Sequence, residues 1–237
     1  SASGDERDNR EFWNVWYVND QGEAELVRRA EYDADAGEVR FRTDHFSKFA
    51  VSYGKTTFPD LNKTPWALHS IEVLAAKGII NGVSKHSFQP TASITRADFT
   101  KLLVETLGLQ AEIGTFSDVN EKDYYYEAVG IAKTLGIVKG IDGRHFKPKD
   151  FITRQDMFVM IARALTHVGK PLPVSSDTIL SGYQDRGEVS AYAVEAISSM
   201  VREGLVKGNN GKIEPRKNST RAEAAVMLYR LYNYVFG

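Results

Sequence analysis

Ile94-Thr95-Arg96-Ala97-Asp98-Phe99 recurs as Ile152-Thr153-Arg154-Gln155-Asp156-Met157 and again as Ser219-Thr220-Arg221-Ala222-Glu223-Ala224. In each copy a threonine stands three places before a carboxylate, the spacing of a capping box at a helix start. Asp reaches back less well than Glu from that position. Apolar residues follow at helical steps: Phe99, Leu102 and Leu103; Met157, Val159 and Met160; Ala225, Val226 and Leu228.

Upstream of each box lies a matching set of landmarks. An aromatic-x-Asp triplet leads: Phe58-Pro59-Asp60, Phe116-Ser117-Asp118 and Tyr183-Gln184-Asp185. The Asp and the later Arg are 36 residues apart in all three copies, whereas the arginines themselves are 58 and then 67 residues apart. The surplus falls around Lys170–Ser176. A constant repeat with variable joints is the behaviour of packed units linked over a surface. Residues 66–77, 124–135 and 192–203 have helical apolar spacing, and Gly78, Gly136 and Gly204 end those helices in the left-handed C′ position. Gly82, Gly140 and Gly208 follow in tight loops. Phe88-x-Pro90, Phe146-x-Pro148 and Ile213-x-Pro215 complete the units, Phe88, Phe146 and their prolines reading as structural. The third loop is one residue shorter than the others, with one extra residue between Asp185 and Tyr192. The expected fold is mainly all-α: three helix-loop-helix repeats, with a small β-unit at the N-terminus.

Taken together, these motifs resemble the S-layer homology family over roughly residues 57–235. The resemblance implies three repeats forming a pseudo-threefold spindle, with grooves between neighbouring prongs. It also implies a secondary cell-wall polysaccharide as partner, one carrying a pyruvate ketal on N-acetylmannosamine, with a peptidoglycan-linked polymer as a further candidate, at an extracellular, cell-wall or S-layer location in a Gram-positive-type bacterium. Domain boundaries follow: 1–55 for the β-unit, either a small unit of its own or a fragment of a larger β-domain, then 56–110, 111–172 and 173–237 for the repeats. Gln155 in place of Ala, Asp98 and Asp156 in place of Glu, and Ser219 and Ile213 in the third copy depart from the family pattern.

An acidic sugar calls for a fixed cation, oriented donors and a ring surface. Arg96, Arg154 and Arg221 supply planar guanidinium forks at helix starts, where free backbone N–H groups and the dipole favour anions. Their alternative is a carboxylate within their own unit, joining helix to loop. Trp66, Tyr124 and Tyr192 at the first helix are candidates for stacking on a sugar or for core packing. Gly82, Gly140 and Gly208 are candidate points of close backbone approach, and Asn81, Lys139 and Lys207 are candidate donors. Asp60, Asp118 and Asp185 either cap the first helix or a turn, or touch the ligand.

The composition narrows the alternatives. The 237 residues are 42% hydrophobic and carry a formal net charge of −1, so no overall field favours nucleic acid or an anionic membrane. No apolar run is long enough for a transmembrane helix. Cysteine is absent, which excludes disulfides, thiolate metal sites and cysteine nucleophiles. The start at Ser1, without Met or signal peptide, is read as a cut from a longer chain. The five histidines lack ligand spacing, recurring acidic residues belong to the repeats, and no P-loop is present, so no cofactor, metal or catalytic pair is expected. A self-assembling S-layer subunit is the competing non-enzymatic function.

The N-terminal piece has its own pattern. Phe12–Val18 is aromatic and β-branched, Asn19-Asp20-Gln21-Gly22 is a turn, and Ala24–Arg28 is the expected returning strand. A second hairpin is expected between Glu38–Thr43 and Phe49–Tyr53. His45-Phe46-Ser47 resembles the sequence at which some β-domains cleave themselves: Ser47 would attack the Phe46 carbonyl with His45 as base. An ordinary turn is the alternative.

Overall fold

In the computed structural model, residues 10–33, 35–43 and 47–237 are described. The chain divides into two compact units, one reaching to Pro90 and including Phe236–Gly237, the other spanning Thr91–Val235. Six α-helices are present among the described residues: α1 (Leu68–Ala76), α2 (Arg96–Leu107), α3 (Tyr126–Thr134), α4 (Arg154–His167), α5 (Val194–Arg202) and α6 (Arg221–Phe236). With five short strands confined to the N-terminal part, the protein is mainly α with a small β-unit. No described helix is long and apolar enough to cross a membrane.

In the first unit, β1 (Trp13–Val18) is the centre of a three-stranded antiparallel sheet, flanked by β2 (Ala24–Leu26) and β5 (Lys48–Tyr53). Tyr17 pairs with Glu25 on one side and Phe49 on the other. The first expected hairpin is therefore present. The second is corrected: β4 (Glu38–Phe41) pairs with β3 (Ala30–Asp33), not with β5. The missed signal is the turn after Asp33. Its side chain accepts the amides of Asp35 and Ala36, while Gly37, at φ 68°, closes the hairpin back onto the Asp33 carbonyl.

The β-unit packs on the first helix of the first repeat. Buried Asn14 donates to the carbonyls of Phe12 and Ala76 and accepts from Lys77 Nζ at 3.1 Å. Trp16 lies over Gly78, where an added Cβ would meet its ring at 3.3 Å. His69 meets Glu11 at 2.6 Å and the edge of the Phe12 ring. Burial lowers the Lys77 pKa to about 8, with the charge of Glu11 opposing the shift.

In the second unit, three backbone bonds close a ring: Ile94 N–H to Ser219 O, Ser219 N–H to Ile152 O, and Ile152 N–H to Ile94 O, at 2.9, 2.9 and 3.1 Å. All three residues are fully buried. A second ring lies two residues on, where the amides of Arg96, Arg154 and Arg221 donate to Asp150, Lys217 and Ala92, each at 2.9 Å. Every α2, α4 and α6 start thus rests on the loop of another repeat. Around the rings Phe99, Phe146, Phe158, Ile161 and Leu228 form the core.

Lys77 generates a pH-dependence. The unfolded state retains its proton up to about pH 10.5 while the folded state releases it near 8, so stability rises with pH across that window. The ceiling is about 3 kcal/mol. All three tryptophans lie in the first unit, so indole fluorescence follows its melting. The rise is expected in the native chain and absent in Lys77→Met.

Candidate functional site

Each repeat builds its loop around the leading aspartate. Asp118 accepts the amides of Phe146 and Lys147, both at 2.8 Å. Asp185 accepts those of Ile213 and Glu214, and Asp60 those of Phe88 and Gln89 together with the Ser87 hydroxyl. Lys147, Glu214 and Gln89 sit at φ 57°, 54° and 56°, so each carboxylate holds a left-handed turn that its side chain disfavours. Burial opposes ionisation of Asp118, but the two amide bonds outweigh it and leave its pKa below the ordinary carboxylate value. Asp60 behaves likewise. These aspartates cap loops 28–29 residues downstream rather than the first helix.

The loop glycines answer to the same packing. A Cβ on Gly140 would come within 2.7 Å of the His145 carbonyl and 2.8 Å of the Phe116 ring, and the equivalents at Gly208 and Gly82 are as tight. Their bareness makes room for the aromatic of the aromatic-x-Asp triplet.

The fixed loop carbonyls then hold the arginines. Arg96 Nε donates to Phe146 O at 3.0 Å, and its guanidinium lies 5.0 Å from the centre of the Phe146 ring. Arg154 Nε donates to Ile213 O at 2.9 Å. Each of these two reaches out of its own repeat into the next, so the alternative of a carboxylate within its own unit does not hold for them. Arg154 Nη1 also approaches Glu223 at 3.5 Å. Arg221 is half-buried and lies near enough to Tyr124 to act on its phenol electrostatically.

One expectation is overturned here. The first amides of α2 and α4 are not free for a ligand: Arg96 and Ala97 donate to Asp150 O and Pro148 O, Arg154 and Gln155 to Lys217 O and Pro215 O. The third amides go to the capping threonines. What remains is the dipole field and the guanidinium termini. The boxes also divide by chain length. Glu223 reaches the Thr220 amide at 2.8 Å, whereas Asp98 and Asp156 stop at the threonine hydroxyls.

The second oxygens of those aspartates take the phenols of the candidate aromatics. Tyr192 donates to Asp156 at 2.7 Å and Tyr124 to Asp98 at 2.5 Å. Partial burial and then the bond to Asp156 push the Tyr192 pKa up to about 12, and Tyr124 rises for the same reasons. The rings themselves are open: Trp66, Tyr124 and Tyr192 are 58%, 68% and 56% exposed, so none is core.

A cleft of about 460 Å³ gathers Arg96, Lys139, Gly140, Asp156, Arg163 and Tyr192 over a floor that includes Val159 and Met160. Four of these six are candidate binding residues from the sequence, and Asp156 is known there only as a capping carboxylate. Arg163 is neither; it anchors the loop by donating to Ile137 O at 3.1 Å, and its signal was the seven-residue step from Asp156 along one face of α4. Gln155 was noted only as a departure. Its amide group brackets Ser190, two residues before Tyr192, and so fixes where that ring stands. Asn81 and Lys207 are exposed. For the self-cleavage expectation, His45 and Phe46 lie outside the described residues, and Ser47 is exposed.

The cleft takes Arg96 from the first repeat, Lys139 and Arg163 from the second and Tyr192 from the third, a site that tandem repeats build together. The pattern of the S-layer homology domain matches residues 57–100, 115–158 and 182–225, and the chain belongs to that family. It is 34% identical over 223 residues to an amylopullulanase of Thermoanaerobacterium thermosulfurigenes, covering 92% of this chain and 12% of that protein. An endoglucanase of Bacillus sp. (strain KSM-635) is 33% identical over 73% of this chain and 18% of its own length. A surface-layer 125 kDa protein of Lysinibacillus sphaericus is 28% identical over 72% of this chain and 14% of its own. The chain thus spans less than a fifth of each of these relatives.

Gly140→Ala checks the loop logic. A methyl group at φ 71° against the His145 carbonyl is expected to cost about 2 kcal/mol or more, read as a lower melting temperature by circular dichroism. Gly143→Ala, at a comparable φ with open space around it, is expected to cost about half as much.

Proposed function

We propose that this chain is a non-catalytic anchoring module that binds an anionic polysaccharide of the bacterial cell wall at the surface of a Gram-positive-type cell. The finer reading is a pyruvate ketal on N-acetylmannosamine, whose carboxylate meets the guanidinium while its ring rests on the exposed aromatic. One observation carries this reading. Arg96, held through Nε by the Phe146 carbonyl, lines a cleft together with Lys139, Arg163 and Tyr192.

The magnitudes suit the task. A hydrogen bond between charged groups contributes about 1.5–3 kcal/mol. The pre-placed fork loses less side-chain entropy than a free lysine would. Single grooves therefore bind modestly, and engagement of several on one polymer raises avidity by about 10²–10⁴ where geometry permits. In this reading Asp60, Asp118 and Asp185 act through the loops they hold and do not touch sugar. Arg154 and Arg221, with Lys207, Asn81, Trp66 and Tyr124, are the counterparts of the Arg96 set. The rings of hydrogen bonds in the second unit support the pseudo-threefold arrangement that the family resemblance implies. Similarity to surface-layer proteins and to long glycan-acting enzymes supports a role in holding other domains at the envelope.

Co-sedimentation tests the proposal. The chain is expected to pellet with purified Gram-positive walls and to stay in solution once the acid-labile polymer has been extracted; pelleting without walls would favour self-assembly instead. In calorimetry, pyruvylated N-acetylmannosamine is expected to bind and the pyruvate-free sugar to bind at least about tenfold more weakly. Arg96→Ala and Arg96→Lys should both weaken binding about tenfold or more, while lowering stability by only about 1 kcal/mol through loss of the bond to Phe146 O. A loss of folding in parallel would make the residue structural.

A further inference from the structure

A second cleft, of about 530 Å³, lies in the first unit at the open end of the β3–β4 hairpin. Residues 29–31 and 40–42 line it, with Phe236 and Gly237 of the same unit. Ala30 and Phe41 are the last paired residues at that end, and the Phe41 ring packs on Phe49 with centroids 4.8 Å apart. The backbone that carries Arg29 and Arg42 is anchored by that pair.

The three arginines of the lining differ in what they hold. Arg40 is committed to the turn end of the hairpin, meeting Asp33 at 3.0 Å and Glu38 at 3.7 Å. Arg29 and Arg42 are exposed, and among the described residues neither guanidinium has a hydrogen-bond or ion-pair partner. Glu31 is the acidic side chain of the lining, and it pairs with neither of them. Two cations placed one residue beyond the last rung of a hairpin repel each other, and an anion bound by both relieves that repulsion.

The kind of anion follows from the number of forks. One guanidinium satisfies both oxygens of a carboxylate in bidentate fashion, whereas a phosphate group has further oxygens for a second fork. Two unpaired cations beside an acid, in a chain of formal net charge −1, are too few for a nucleic-acid interface. We propose that this cleft is a separate anion site, which takes a phosphodiester group of an anionic polymer through Arg29 and Arg42. It shares no residue with the cleft around Arg96 and does not depend on the acid-sugar reading of that cleft.

Nitrogen NMR of the full chain, titrated with a glycerol phosphate oligomer, tests the site. The signals of Arg29 and Arg42 should shift and saturate, with an affinity that falls as salt rises. Arg29→Gln combined with Arg42→Gln should weaken binding about fivefold or more, and Glu31→Gln should tighten it about twofold. The charge-matched pair Lys122→Gln and Lys149→Gln, exposed in the second unit, should leave the affinity within about twofold of native. Indole fluorescence melting confirms that the first unit of each variant is folded. Equal losses in the arginine and lysine variants would reduce the effect to net charge and overturn the site. Unmoved Arg29 and Arg42 signals, or a response to inorganic phosphate without one to the oligomer, would overturn it as well. The arginine variant should still bind pyruvylated N-acetylmannosamine as the native chain does, so the two sites stand or fall separately.

Discussion

The closed ring of backbone bonds through Ile94, Ile152 and Ser219 is the constraint on which the second unit depends. Each of these residues gives its amide to one repeat and its carbonyl to another, so all three depart together or not at all. Because all are buried, breaking one link strands a donor and an acceptor away from water, at about 1–3 kcal/mol for each group. The ring also sets where the helices begin. Two residues later the arginine amides dock on the neighbouring loops, and the side chains leave from backbone that has no freedom to drift.

That arrangement favours arginine side chains over bare helix ends at the candidate site. The amides that would otherwise meet an anion are spent on holding repeats together. In the proposed function, recognition passes to a side chain long enough to rise above the junction. Arg96 and Arg154 each use one nitrogen to grip a loop carbonyl, which turns a flexible chain into a placed fork. The carbonyl is itself placed by the aspartate clamp, and the glycine beneath it makes room for the aromatic of the same triplet. Loop structure and arginine placement are linked in one sequence of contacts.

Much of this was legible in the residues. The capping boxes, the six helices and the turn glycines follow from spacing alone, and the fixed Asp-to-Arg interval announced a rigid unit. Arg96, Lys139, Gly140, Asp156 and Tyr192 were all visible as repeat elements. What the sequence hid was partnership between repeats. Nothing in Asp118 says that its amides lie 28 and 29 residues onward, and nothing in Arg96 says that its carbonyl partner belongs to the next copy. Arg163 escaped notice because its position reads as an ordinary solvated arginine until the helix face is drawn. The β-unit misled for a different reason: Ala30–Asp33 is short and charged, so the stronger apolar run of β5 was assigned to β4 when it belongs beside β1.

The central claim is that the Arg96 guanidinium is gripped at one nitrogen and available at the others. Arginine-selective nitrogen NMR during titration with the carboxylated sugar addresses it directly. The account predicts that the Arg96 Nη signals shift and saturate with the ligand, while its Nε–H remains slow to exchange before and after. Nη signals that stay fixed while the sugar binds, or an Nε–H that exchanges freely in the unbound chain, would contradict it.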